Sequence, residues 1–222
     1  MTVLLAFLFI GYFVLAGLDY GVAMTARTKG DLDRLTPFFL GNEVWLVAAV
    51  GLLFGAFPLM EGVLLGEQRL PVGVALLGVV IVTATYGLRI FARTSTLDGV
   101  ARAGGALAAL GWGAALGGVA QGGTFRLSVL VMASAIGFAA LLALHGWAFL
   151  GRRWSVLAAT SAAMVAIVFV VGSSIDLLPA GDATRAIVAP VVYVVVPMLI
   201  ALQAATWWIF RGLPQSLENG SA

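Results

Sequence analysis

The chain has 222 residues, of which 62% are hydrophobic and 10% charged, with a formal net charge of +2 and a mean hydropathy of +1.08. Soluble domains carry about 25% charged residues, so this chain cannot clothe a water-facing surface and reads as an integral membrane protein. It has no cysteine, which excludes disulfides, thiolate metal centres and covalent haem attachment, and one histidine, His145, which excludes a bis-histidine haem within the chain.

Seven apolar segments are long enough to cross a bilayer at roughly 20 residues each. They fall near 2–25, 37–60, 71–92, 102–122, 126–150, 154–176 and 186–210. The first has no basic leader and is long enough to span, so it is expected to be a retained helix rather than a cleaved signal. The third opens at Pro71, a residue suited to a first helical turn. The fourth, "AGGALAALGWGAALGGVA", is so rich in Ala and Gly that it is expected to pack between other helices. The expected fold is an all-α bundle of about seven transmembrane helices in a single transmembrane domain, 1–222. Its first half covers about 1–125, a shortened second half about 126–212, and 213–222 is a polar tail.

Charge sets the direction of threading. Arg27, Lys29, Arg34, Arg89, Arg93, Arg102, Arg152, Arg153 and Arg211 fall on one side of seven alternating spans; Arg69, Arg126 and Arg185 fall on the other, which accounts for all twelve basic residues. The positive-inside rule then places the N-terminus outside and the C-terminus in the cytoplasm, with Trp154, Trp207 and Trp208 near the cytoplasmic interface as belt residues. Three small-xxx-small steps, Gly17/Gly21, Gly51/Gly55 and Gly113/Gly117, are candidates for close helix approach.

A degenerate parallel repeat is visible at an offset of 126. "IGYFVLAGLDYGVAMTAR" (10–27) lies against "IGFAALLALHGWAFLGRR" (136–153), with Asp19 opposite His145. The first and fifth spans run in the same direction, as a parallel duplication requires.

Of ten acidic residues, only Asp19 and Glu43 lie well inside spans. Carboxylates at membrane depth cost several kcal/mol unless paired, hydrated or protonated. Counted at about 1.5 Å per residue, both lie about six residues from the same end of their spans, with His145 and Gln203 at similar depth. Two readings follow. In one, this layer handles protons or a quinone headgroup; in the other, Asp19 and Glu43 bond to Asn42, Trp45, Tyr20 or backbone and lock the first two helices together. His145 reads either as a satisfied core histidine or as one axial haem ligand. There is no Walker loop, dinucleotide fingerprint, zincin motif or nucleophile elbow, and nothing in the charge pattern points to nucleic acid.

The segments "FIGYFVLAGLDYGVAM" and "GNEVWLVAAVGLLFGAFPLM" resemble the start of subunit II of cytochrome bd-type quinol oxidases. That family shows G-F-D-x-G-V-G-M in its first helix and G-N-[EQ]-V-W-L opening its second. "GGVAQGGTF" (117–125), "ALHGWAFLGRR" (143–153) and "PVVYVVVPMLIALQAATWWIFRG" (190–212) extend the resemblance over most of the chain. Family members are usually longer, with a further pair of helices; the gap falls around 170–180. The family often carries acids where this chain has Ala16 and Leu40, and those acids are associated with proton delivery. Asp19 matches the family's retained Asp, and Glu43 a position filled by Glu or Gln.

The resemblance implies a haem-free scaffold of a quinol:oxygen oxidoreductase in the bacterial inner membrane. That scaffold would pack on a haem-bearing subunit I that carries haem b and haem d type groups and oxidises quinol. Small single-helix subunits and a lipid or quinone are further expected partners. Asp19, Asn42 and Glu43 are the expected polar cluster, with Trp45 orienting it and His145 extending it across the repeat. The alternatives are a non-catalytic assembly or stabilising protein for a haem-bearing partner, and a small secondary transporter, which fits the topology but not the motifs.

Overall fold

Where no water reaches the backbone, every N–H and C=O must be satisfied within the segment, so long apolar runs fold as helices. The computed structural model describes residues 1–92 and 94–210; Arg93, Arg211 and the expected polar tail 213–222 lie outside the described residues. Among the described residues there are nine helices and no strand: α1 (Thr2–Thr25), α2 (Lys29–Asp33), α3 (Phe39–Ala56), α4 (Pro58–Glu67), α5 (Arg69–Arg89), α6 (Ser95–Ala120), α7 (Val129–Leu150), α8 (Trp154–Gly172) and α9 (Asp182–Phe210). Seven of them, all but α2 and α4, are long and apolar enough to cross a membrane.

Four boundaries differ by four residues or more from the sequence expectation; one is the sixth span, which ends at Gly172 rather than 176. The second span stops at Ala56 rather than running to residue 60. Pro58 lacks an N–H and drives the residue before it out of helical geometry; Phe57 sits at φ −138°, ψ 52°, and Pro58 opens the separate helix α4. The fourth span starts at Ser95, not 102, because the Thr94 hydroxyl accepts the Leu97 N–H at 3.3 Å and caps the helix. The seventh begins at Asp182 and contains Pro190 and Pro197.

α1 is the hub and touches α3, α5, α6, α7 and α8. Its Tyr12, Ala16 and Val22 are fully enclosed. α6 is the most buried candidate span, as its small residues led one to expect, whereas only 11% of the most apolar window of α9 is buried.

α1 and α7 pack side by side in parallel. Phe13 meets Phe138 at 5.2 Å between ring centroids, Gly17 faces Leu142, and Gly21 faces Gly146. Each pair is 125 residues apart, within one of the sequence repeat's offset of 126. A Cβ at Gly21 would lie 2.8 Å from the Gly146 nitrogen, so the two backbones touch there. Gly113 and Gly117 are likewise pressed against Ser134 and Ala135 of α7. Gly51 is the exception: a Cβ there would meet nothing within 4 Å, so the Gly51/Gly55 step is not an internal contact, although Gly55 does face Val188 of α9. Trp208 and Trp154 are exposed, but Trp207 is packed inward, stacked on Phe38 at 4.5 Å.

Arginines close one end of the bundle. Arg102 donates to the Ala26 carbonyl at 2.9 Å and Arg34 to the Leu150 carbonyl at 3.2 Å, which satisfies carbonyls at or next to the C-termini of α1 and α7. Arg89 is buried and bridges Asp98 at the start of α6 and Asp33 of α2.

Candidate functional site

Two hydrogen-bond chains run through the first helices. In the first, Trp45 Nε1 donates to Gln203 Oε1 at 3.3 Å, Gln203 Nε2 donates to Asn42 Oδ1 at 3.0 Å, and Asn42 Nδ2 donates to Asp19 Oδ2 at 3.0 Å. Asp19 is 1% exposed and Asn42 0%, so the chain is closed to solvent where it ends. Its sense is fixed by chemistry: an indole only donates and an amide both accepts on its oxygen and donates from its nitrogen, so Trp45 as the first donor leaves Asn42 Nδ2 facing Asp19. Each link joins two helices, α3 to α9, α9 to α3, and α3 to α1. The other Asp19 oxygen, Oδ1, is buried with no protein partner.

In the second chain, Trp112 Nε1 donates to the Tyr12 hydroxyl at 3.0 Å, the Tyr12 and Tyr20 hydroxyls are 2.7 Å apart, and Tyr20 donates to Glu43 Oε1 at 2.7 Å. Because the Tyr20 proton is directed at Glu43, the Tyr12 proton must point at the Tyr20 oxygen, and every hydroxyl is aligned toward the carboxyl group. Tyr12 and Tyr20 are eight residues apart, two turns along the same stripe of α1, which is why both reach one interior. Their rings pack edge-on with Trp112, Tyr12 to Trp112 at 5.5 Å and Tyr12 to Tyr20 at 6.4 Å.

The two chains differ in what they can do. Aligned hydroxyls can pass a proton by each giving one and taking one. Trp112 cannot accept, so protons on Tyr12 and Tyr20 are held facing Glu43. The amides of Asn42 and Gln203 do not exchange protons readily; they orient the Asp19 carboxyl group. Tyr86 adds a further tie, its hydroxyl donating to the Asp19 backbone carbonyl at 3.3 Å.

Of the residues singled out from sequence, Asp19, Asn42 and Trp45 thus share one chain, and Glu43 ends the other. His145 is elsewhere, where α7 meets α1 and α8. Its Nε2 lies 3.1 Å from the Val14 carbonyl and its Nδ1 2.6 Å from the Thr160 hydroxyl. A carbonyl only accepts, so Nε2 carries the proton; in the neutral ring Nδ1 then accepts from Thr160, whose single hydroxyl proton is turned to it rather than to the Val156 and Leu157 carbonyls at 3.0 and 2.9 Å. Both nitrogens are engaged and the residue is 1% exposed, so this side chain does not fit an axial metal ligand. Among the described residues no group of three His, Asp or Glu converges as a metal site would need.

The depth of Gln203 is legible in the sequence but its bond to Asn42 is not, and neither are the parts that Tyr12, Trp112, Tyr86 and Thr160 play. The one available signal was the eight-residue spacing of Tyr12 and Tyr20; nothing in the chain order ties residue 203 to residue 42.

A family model described as cytochrome bd terminal oxidase subunit II matches residues 1–211. The chain is similar to cytochrome bd ubiquinol oxidase subunit 2 of Bacillus subtilis (strain 168), 39% identical over 83 residues, which cover 34% of this chain and 25% of that protein. It is also similar to cytochrome bd-I ubiquinol oxidase subunit 2 of Escherichia coli (strain K12), 40% identical over 65 residues, 26% of this chain and 17% of that protein. The chain therefore spans a quarter or less of the length of these curated relatives in the aligned stretches.

Proposed function

The chain belongs to the cytochrome bd terminal oxidase subunit II family, and from that membership we propose that it is the haem-free scaffold subunit of a quinol:oxygen oxidoreductase in a bacterial inner membrane. The complex oxidises quinol, reduces dioxygen to water and draws protons from the cytoplasm. Haem b and haem d type groups held by a partner subunit I supply the redox chemistry. The chain is threaded with its N-terminus outside, and small single-helix subunits are further partners in the complex.

The match over 1–211 carries this reading, and the engaged state of both His145 nitrogens supports a haem-free role. Within the chain, Asn42 and Gln203 hold the Asp19 carboxyl group in one orientation. Tyr12 and Tyr20 hold protons directed at Glu43. Together they act as a polar layer that stores and presents protons beside the partner.

A second reading, an assembly protein that stabilises a haem-bearing partner and conducts nothing, is favoured by the residues at two positions. Ala16 is fully buried and Leu40 exposed, and neither can titrate. Turnover separates the two. Asp19→Asn and Glu43→Gln are expected to slow quinol oxidation by the assembled complex; unchanged turnover in both variants, with the complex intact, leaves only the assembly role.

A further inference from the structure

Of the chain's four tyrosines, Tyr12, Tyr20 and Tyr86 are buried and Tyr193 is exposed. The buried three differ in where their hydroxyl protons can go. Tyr86 donates to the Asp19 backbone carbonyl at 3.3 Å, and Tyr12 to the Tyr20 hydroxyl at 2.7 Å. Neither acceptor is a useful base. Tyr20 donates to a carboxyl group, Glu43 Oε1, at 2.7 Å.

Loss of one electron turns a phenol into a strong acid, so a buried tyrosine is readily oxidised only where a base takes its proton in the same step. Glu43 is such a base. Electrons have a route as well. Trp112 packs on Tyr12 with ring centroids 5.5 Å apart, and Tyr12 on Tyr20 at 6.4 Å. Trp112 Nε1 also donates to the Tyr12 hydroxyl at 3.0 Å. Indole and phenol are the aromatic side chains that give up an electron most easily, and here they stand in unbroken contact. Packing alone accounts for the rings, since phenylalanine fills nearly the same space. It does not account for two buried hydroxyls in series on a carboxyl group, each of which is costly to bury without a partner.

We infer that Tyr20 is a one-electron redox group that quenches peroxyl radicals of membrane lipid, with Glu43 as its proton acceptor and Tyr12 and Trp112 as its electron relay. Lipid is close, because Leu40 and Val44 on either side of Glu43 are exposed on the outer surface of α3. The peroxyl radical takes one electron from Tyr20 and, with a proton from interfacial water, becomes a hydroperoxide. The Tyr20 O–H bond breaks, its proton bonds to Glu43 Oε1, and a neutral phenoxyl radical remains, shielded from water. A hydroquinone-class reductant then gives one electron to Tyr20 and one proton to the hydroxide left in the water, while Glu43 returns its proton to the phenol. This activity goes beyond the oxidase reading and does not depend on it.

The test uses the full chain in vesicles of polyunsaturated phosphatidylcholine. A lipid-soluble azo initiator supplies peroxyl radicals, and electron paramagnetic resonance detects the products. Tyr193→Phe is the background, which removes the exposed phenol. Ring-deuterated tyrosine narrows a tyrosyl signal and so sets it apart from lipid and tryptophan radicals. A tyrosyl signal is expected in this background and, undiminished, after Tyr86→Phe. A fall of about tenfold or more is expected in Tyr20→Phe and in Glu43→Gln, a modest share of the ~100-fold or more that a positioned base contributes. Glu43→Gln keeps an oxygen for Tyr20 to donate to and loses only the base, so it decides the matter even where Tyr20→Phe fails to fold. No tyrosyl signal in the background chain, a full signal in folded Tyr20→Phe, or a full signal in Glu43→Gln overturns the proposal.

Discussion

Asn42→Leu tests the buried chain most directly. Asn42 is fully enclosed and makes two interhelical bonds of 3.0 Å, one to Asp19 of α1 and one from Gln203 of α9. Leucine has similar bulk, so packing changes little while both bonds vanish. In water-soluble cores an orphaned polar group costs about 1–3 kcal/mol. Within membranes the reference state finds other partners, and interhelical bonds average about 0.6 kcal/mol with a maximum near 1.7. Two bonds, plus an Asp19 carboxyl group left without its side-chain donor, predict a loss of about 1–3 kcal/mol. Unfolding in mixed micelles with rising SDS, followed by tryptophan fluorescence, measures it. Adding Asp19→Leu removes the stranded acceptor, so the double variant is expected to lose less than the sum of the two single variants, by about 0.5 kcal/mol or more. A single variant within about 0.5 kcal/mol of wild type, or an additive cycle, refutes the chain from Gln203 through Asn42 to Asp19.

Gly21→Leu forces apart α1 and α7 where backbone meets backbone and is expected to cost about 3 kcal/mol, at the upper end for overpacking; the same titration, with Gly51→Leu as the open-site comparison, checks it. Asp31, between α1 and α3, is raised somewhat by partial burial, but the Arg27 and Thr28 amides, at 2.9 and 3.0 Å, outweigh this and hold its carboxyl below the usual range. A depressed folded value means the turn is stabilised above the ordinary carboxylate range and loses that support as the pH falls through the lowered value. Amide exchange at Arg27 and Thr28 should therefore speed up only under strongly acidic conditions, and at all pH values in Asp31→Ala. His145→Gln is expected to leave the haem spectrum of the assembled complex unchanged while lowering its thermal stability; a missing haem band would show instead that His145 is a ligand.

Much of the fold was legible because hydrophobic length and helix propagation are local properties. Seven apolar runs became seven span-length helices, and the Ala- and Gly-rich fourth run became the most buried of them. Two of the boundaries that moved were also set by local chemistry, Pro58 ending one helix and the Thr94 hydroxyl starting another, and these signals stand in the chain. The depth of Asp19 and Glu43 followed from counting residues along a helix. Partnership did not. Which glycine meets a backbone and which meets open space depends on how helices are arranged, so Gly21 and Gly51 look alike in the chain and behave oppositely in the fold. Asn42 and Glu43 are adjacent, yet one helical step of 100° sends the first into the core toward Asp19 and Gln203, and leaves the second at the outer face with Tyr20. The sequence by itself determined that an amide and a carboxyl group stand side by side at membrane depth in α3; only the packing of α1 and α9 against that helix decided which groups answer them, because a hydrogen bond is a matter of a few tenths of an ångström between segments as far apart in the chain as residues 42 and 203.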